Sequence, residues 1–289
     1  MKFNMKYWKF PAVFVFSLFL LPGVTQAQHY KQTNLVSNIA GMAPVQDPNL
    51  KNPWGLTRSS GSPWWVGNNN SGTSTLYTGT GAIIPINGTG TVTVPPPNGS
   101  PAGTQSTPTG VVFNGSPTDF LVAPGKSAHF IFATEDGTIS GWNGGQNAVL
   151  VVDNSDNGSS NGAVYKGATS GEINGNKYLY VTNFRSAKVE VYDTNFKRVH
   201  LGEDAFNAEE IPRGFAPFNI QNIGGTLFVT YAKQDAARHD DVAGDGLGFA
   251  EIYTPTESTS AVFSMVLGSM RPGELFGPRA ISASSATPF

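Results

Sequence analysis

Short aromatic-rich apolar runs, each followed by a second run that alternates apolar with polar residues, recur along this chain, and Gly, Asn or Pro interrupts nearly every run. Trp64-Trp65-Val66-Gly67-Asn68, Phe130-Ile131-Phe132-Ala133-Thr134, Tyr178-Leu179-Tyr180-Val181-Thr182-Asn183 and Thr226-Leu227-Phe228-Val229-Thr230-Tyr231 are examples. Period-two alternation predicts β-strands with one face toward a core, and the punctuation predicts tight turns. The runs also repeat as units. Each unit has a Pro-containing lead-in, an aromatic strand, a polar turn and a second alternating strand. Asn52-Pro53-Trp54-Gly55-Leu56 leads to the Trp64 run and then Ser74-Thr75-Leu76-Tyr77. Thr107-Pro108-Thr109-Gly110 leads to the Phe130 run and then Thr138-Ile139-Ser140-Gly141-Trp142. The third unit ends on Lys188-Val189-Glu190-Val191-Tyr192. The fourth begins at Ala216-Pro217-Phe218-Asn219 and ends on Phe249-Ala250-Glu251-Ile252-Tyr253.

Aligned on Trp65, Phe132, Tyr180 and Phe228, the units recur at intervals of 67, 48 and 48 residues. The long first interval holds a Gly-, Pro-, Ser- and Thr-rich stretch from Gly88 to Thr107, read as an extended loop. Four short strands in each unit of about 40 to 50 residues predict an all-β fold, a β-propeller, with inner strands carrying the lead-in and outer strands ending on the Val-Glu-Val-Tyr type of segment. A β-sandwich would not repeat at this period. Most Trp, Phe and Tyr residues are then core, with Trp64 the candidate exposed aromatic.

Composition agrees. The 289 residues include 34 Gly and 20 Pro, only 13% are charged, and 11% are aromatic, which excludes coiled coils, helical bundles and acidic disordered chains. A net charge of −2 leaves no electrostatic footprint for nucleic acid. At the N-terminus Lys2, Lys6 and Lys9 precede an apolar stretch from Pro11 to Val24, with Thr25-Gln26-Ala27 as a cleavage site. Residues 1–27 are therefore expected to be a signal peptide. The mature chain would be periplasmic or extracellular and monomeric, with no membrane-spanning segment. No cysteine exists to form a disulfide.

The words NPWGL, FATEDGTISGWN, YVTNF and YAKQDAARHDDVAGDGLG (Tyr231 to Gly248) resemble those of exported bacterial β-propellers of unknown activity, associated with exosortase (PEP-CTERM) sorting. The units are more loosely similar to NHL repeats. The resemblance runs from about Thr33 to Thr256 and implies a six-bladed propeller with no established reaction. Residues 28–256 would then supply about four blades of an incomplete ring. From Glu257 to Phe289 the strand–turn rhythm stops. Read from the third base of each codon, Ser269 to Glu274 permits NAPWG, an echo of Asn52-Pro53-Trp54-Gly55. A frameshift near Glu257 is the expectation for this tail.

Candidate chemistry is sparse. Asp235, Asp240, Asp241 and Asp245, beside His239, form an acidic, Gly-punctuated loop that could supply oxygen ligands to calcium. The spacing departs from the EF-hand pattern, and a solvated hairpin loop with local turn hydrogen bonds is the plainer reading. Asp153 to Gly158 is a similar acidic turn. No Gly-x-Ser-x-Gly elbow, His-Glu-x-x-His pair or cysteine nucleophile is present, so no catalytic residue is assigned. Asn68, Glu135 and Asn183 each follow a comparable strand and are the channel-face candidates. Calcium-dependent lactonase propellers place Glu, Asn and Asp around a channel metal. Two functions follow. One is a non-enzymatic propeller that binds a cell-surface, glycan or protein ligand through its loops. The other is a calcium-dependent lactonase-type hydrolase.

Overall fold

The computed structural model describes residues 31–86, 88–201, 205–206, 211–255 and 264–266. The expected signal peptide, most of the expected aberrant tail and Asn87 lie outside these. Two short strands, β1 (Val36–Ser37) and β2 (Val45–Gln46), pair in parallel ahead of the repeats. The first blade is β3 (Pro53–Thr57), β4 (Trp64–Asn68), β5 (Thr73–Tyr77) and β6 (Thr91–Thr93). The second blade opens with β7 (Pro108–Phe113), followed by a small hairpin of β8 (Leu121–Ala123) and β9 (Lys126–Ser127). It continues through β10 (Phe130–Thr134), β11 (Thr138–Trp142) and β12 (Val149–Asp153). The third is β13 (Tyr165–Ile173), β14 (Asn176–Asn183), β15 (Lys188–Tyr192) and β16 (Arg198–Val199). The fourth is β17 (Phe215–Ile223), β18 (Thr226–Lys233), β19 (Gly248–Tyr253) and β20 (Ser264–Val266).

Each blade is a four-stranded antiparallel meander, and the four together form a β-propeller arrangement. Among the described residues no helix is long and apolar enough to cross a membrane. Two details differ from the sequence reading. The Val-Glu-Val-Tyr type of segment is the third strand, not the outermost; short fourth strands lie outside it. Strands of two or three residues, such as β16 and β6, are too brief to show alternation. Ser264–Val266, inside the segment expected to be out of frame, supplies the fourth strand of the last blade by pairing with Phe249, Ala250 and Glu251.

Sheet pairing also shifts the alignment of the repeats. Pro53 pairs with Asn68, Pro108 with Thr134, Tyr165 with Asn183 and Pro217 with Tyr231. Counting back three residues from each second-strand partner puts Ile131, not Phe132, in register with Trp65, Tyr180 and Phe228. Packing confirms this. Trp65 sits among Val111, Phe130 and Phe132 of the second blade. Ile131 joins Tyr165, Leu179 and Val181 of the third, and Tyr180 joins Ile220, Val229 and Tyr231 of the fourth. Phe132 points the other way, back toward Trp65. An unbroken apolar run such as Phe130-Ile131-Phe132-Ala133 carries no period-two signal, because a strand buried on both faces needs none, so it cannot distinguish adjacent positions. Trp64, by contrast, is half-exposed, with the Arg58 guanidinium 4.9 Å from its ring centroid.

Inner strands approach closely because their shared column is glycine. A Cβ on Gly55 would lie 2.4 Å from the Thr109 carbonyl oxygen, one on Gly110 2.7 Å from the Ala168 nitrogen, and one on Gly167 2.3 Å from Asn219 Oδ1. The fourth blade has Asn219 at this position. Hydroxyls bridge the same seams: Thr109 Oγ1 donates to the Tyr165 carbonyl at 2.7 Å and Thr182 Oγ1 to the Phe218 carbonyl at 3.0 Å.

Candidate functional site

The first strand of every blade carries a β-bulge at the same place. Register slips between Pro53 and Leu56, around Thr109, between Tyr165 and Gly167, and between Pro217 and Asn219. A bulge leaves one residue unpaired and re-aims its side chain. Three of the four bulge positions, Trp54, Lys166 and Phe218, converge at one end of the channel. Trp54 and Phe218, from the first and fourth blades, meet at 5.5 Å. The Lys166 ammonium lies 5.4 Å from the Trp54 ring, 5.7 Å from Phe184 and 5.8 Å from Phe218, where each π-face attracts a cation.

The turn after each second strand adds the polar half. Asn69 and Glu135 are the residues that follow Asn68 and Thr134, and Phe184 follows Asn183. Lys166 Nζ is ion-paired to Glu135 Oε1. Glu135 Oε2 accepts from Asn69 Nδ2 at 2.7 Å, and the Asn69 amide oxygen accepts from Asn52 Nδ2 at 3.2 Å. Asp240 Oδ1 lies 3.3 Å from Lys166 Nζ and 3.1 Å from His239 Nδ1. The Lys166 side chain is 1% exposed and that of Glu135 10%, against 66% for Asp240. Burying an ammonium is costly unless it is paired and hydrogen-bonded, and this lysine has both a buried carboxylate and an aromatic box. Burial alone would raise the Asp240 carboxyl; the hydrogen bond from His239 and the charges of Lys166 and His239 outweigh it and hold the group below its ordinary value.

Of the three channel-face candidates, Glu135 stands in this cluster and the two asparagines do not. Asn68 Nδ2 donates within its own blade to Thr73 and Thr75. Asn183 Nδ2 donates to Glu190 Oε1 at 2.8 Å, and its Oδ1 accepts from the Val164 and Ser186 backbone. Glu190 also accepts from Tyr165 and Tyr192 at 2.9 and 2.8 Å and pairs with Arg198 at 3.2 Å. The fourth blade repeats the device, with Tyr253 donating to Glu251 and sharing a 2.7 Å hydroxyl contact with Tyr231. Burial, then the neighbouring phenol and carboxylate, push the Tyr165 hydroxyl well above the usual range.

The acidic loop between β18 and β19 is held by its own backbone. Asp235 Oδ1 accepts from the His239 amide at 2.8 Å, and the Asp235 amide donates to the Asp240 carbonyl at 2.8 Å. Asp240 reaches Lys166, Asp241 bridges Gln234, and Asp245 is exposed. Among the described residues no group of three or more His, Asp or Glu side chains is arranged to hold a metal ion. Asp153 caps its turn through Ser155 and the Asn98 amide.

The opposite ends of the inner strands open into a cleft of about 210 Å³ between the second, third and fourth blades. Val112, Phe120 and Ile131 form its buried floor, and Asn114, Glu172, Lys177 and Asn222 stand around it. Glu172 and Lys177 are cross-strand partners in β13 and β14.

No family model matches the chain. It is similar to uncharacterised proteins of Acanthamoeba polyphaga mimivirus. One is 31% identical over 235 residues, covering 78% of this chain and 54% of the relative; another is 27% identical over 214 residues, covering 71% and 53%. The chain thus spans about half the length of these curated relatives. They are viral, whereas the motif words resemble exported bacterial propellers. Among solved structures it is similar to a catalytically inactive virginiamycin B lyase from Staphylococcus aureus with quinupristin (TM-score 0.44, 13% identity, 73% of this chain and 58% of that one). A second is Kuenenia stuttgartiensis hydrazine synthase (TM-score 0.44, 14% identity, 80% and 53%). The chain is a β-propeller whose curated relatives are themselves uncharacterised.

Proposed function

We propose that this propeller is an exported binding protein that works without a channel metal and meets its ligand at the cleft end. One observation supports the reading: the Lys166 nitrogen is held against Glu135, the channel-face carboxylate, inside a box of Trp54, Phe184 and Phe218. Both Glu135 oxygens are committed, one to Lys166 and one to Asn69. Asn68 and Asn183 spend their amides inside their blades. A calcium ion here would have to displace Lys166 and Asn69 from Glu135, and among the described residues the hydrolase reading lacks a donor set. The cleft at the other end has an apolar floor and a polar rim, which suits a small amphipathic ligand or one side group of a larger glycan or protein. Export rests on the N-terminal pattern and on motif words similar to those of exported bacterial propellers; sequencing the mature protein should find Gln28 first.

The test is thermal unfolding of the full chain in excess calcium and in EDTA. A ligand that binds only the folded state raises the melting temperature in proportion to its saturation. Superimposable curves support the metal-free reading, and a calcium-dependent rise overturns it.

A further inference from the structure

We infer that Lys166 and Asn69 become joined by a side-chain amide bond, formed by the protein itself with Glu135 as the acid–base catalyst. The parts such a reaction needs stand together at the channel end. The amine nucleophile, Lys166 Nζ, and the amide to be exchanged, Asn69, are held by the two oxygens of one carboxylate, Glu135. The Asn69 carbonyl oxygen, where negative charge develops on attack, already accepts from Asn52 Nδ2 at 3.2 Å, as a donor aimed at an oxyanion should. Lys166 is 2% and Asn69 6% exposed, and the Trp54, Phe184 and Phe218 rings wall the amine from water that would compete with it. Holding both groups on one carboxylate in a dry site converts a slow bimolecular exchange into an intramolecular one.

The step balances without an oxidant or co-reactant. Glu135 takes one proton from the Lys166 ammonium. The free amine adds to Asn69 Cγ, forming the Nζ–Cγ bond and moving an electron pair onto Oδ1 beside Asn52. As that pair returns, the Cγ–Nδ2 bond breaks. Glu135 relays a second proton from Nζ to the leaving nitrogen, and ammonia departs, taking up the first proton as ammonium. The product is a neutral secondary amide linking the first blade to the third through the turn of the second. In a chain with no cysteine, such a bond supplies the covalent tie between distant segments that a disulfide supplies elsewhere.

Mass spectrometry of the purified full chain tests this. The protein should be lighter than its sequence by one ammonia. Trypsin should fail to cut after Lys166, and fragmentation should find a branched peptide joining the segment that follows Arg58 to the segment that runs on to Lys177. Glu135→Gln and Lys166→Arg should restore the full mass. Asn69→Asp should reach the same final mass as the parent by losing water in place of ammonia, which separates loss of chemistry from loss of fold. A folded chain of full mass that trypsin cuts after Lys166 overturns the proposal. So does an ammonia loss mapped to a terminal Gln28 or to an Asn-Gly step, or a water loss that joins Lys166 to Asp240.

Discussion

Replacing Gly110 with alanine probes the closeness of the inner strands, the feature that brings Lys166, Trp54 and Phe218 to one point. The added methyl would stand 2.7 Å from the Ala168 backbone nitrogen and 2.8 Å from its Cβ, with the Gly167 carbonyl carbon at 3.1 Å. These are backbone and Cβ atoms of a paired strand, so relief requires separating the second blade from the third. Overpacking of this kind costs about 1–3 kcal/mol, and alanine returns about 0.4–1 kcal/mol by restricting the unfolded chain. The net loss of up to about 2.6 kcal/mol should lower the melting temperature by up to roughly 10 °C in a domain of this size, and the gap to a control that gains the same return is the full overpacking cost. Gly61→Ala is the control, since nothing lies within 4 Å of its Cβ and its backbone is not left-handed. Thermal melts followed by circular dichroism, with urea titrations to confirm the free energy, compare the two. Equal midpoints for Gly110→Ala and Gly61→Ala would refute the close inner-strand packing.

Tyr192→Phe removes the hydroxyl that meets Glu190, Tyr165 and Asn154, and should destabilise by about 1–3 kcal/mol in urea unfolding, the usual range for buried groups left unpaired. Burial raises the Asp136 carboxyl above its ordinary value although the Thr107 amide donates to it at 2.7 Å. A raised folded value means stability is present below the unfolded value and lost as pH rises through the folded one. Asp136→Asn, which keeps the acceptor for Thr107, should therefore gain more in melting temperature over the parent at pH 7 than at pH 4; an equal difference at both would contradict the burial argument.

The fold was legible from the chain because its signal is repeated. Alternating strands, Gly and Asn turns and Pro lead-ins recur, and each recurrence strengthens the same reading. The exact column was not, because Ile131 and Phe132 are equally apolar and both buried; the bulge at Thr109 decides between them, and a bulge has no hydrophobic signature. The channel site was half legible. Glu135 stands out as a carboxylate after a strand, but the same pattern points to Asn68, whereas its neighbour Asn69 is the residue that meets Glu135. Lys166 was missed, although Tyr165-Lys166-Gly167 matches Pro53-Trp54-Gly55 and Pro108-Thr109-Gly110 in ending on the seam glycine. A cation in that column is the anomaly that could have marked it. Asp240's tie to Lys166 joins segments far apart in sequence, so only the folded chain displays it.

Lys166 and Glu135 act as one unit at the channel end. A double-mutant cycle tests this in an Asn69→Ala background, where the Lys166 amine cannot be joined and keeps its charge, using Lys166→Met, Glu135→Gln and both together, with unfolding free energies from urea titration. Leaving one buried charge unpaired costs about 3–5 kcal/mol, so each single variant should lose about that much, and the double variant should lose far less than the two losses combined. Losses that simply add would show that the two side chains do not depend on each other, and would contradict the account.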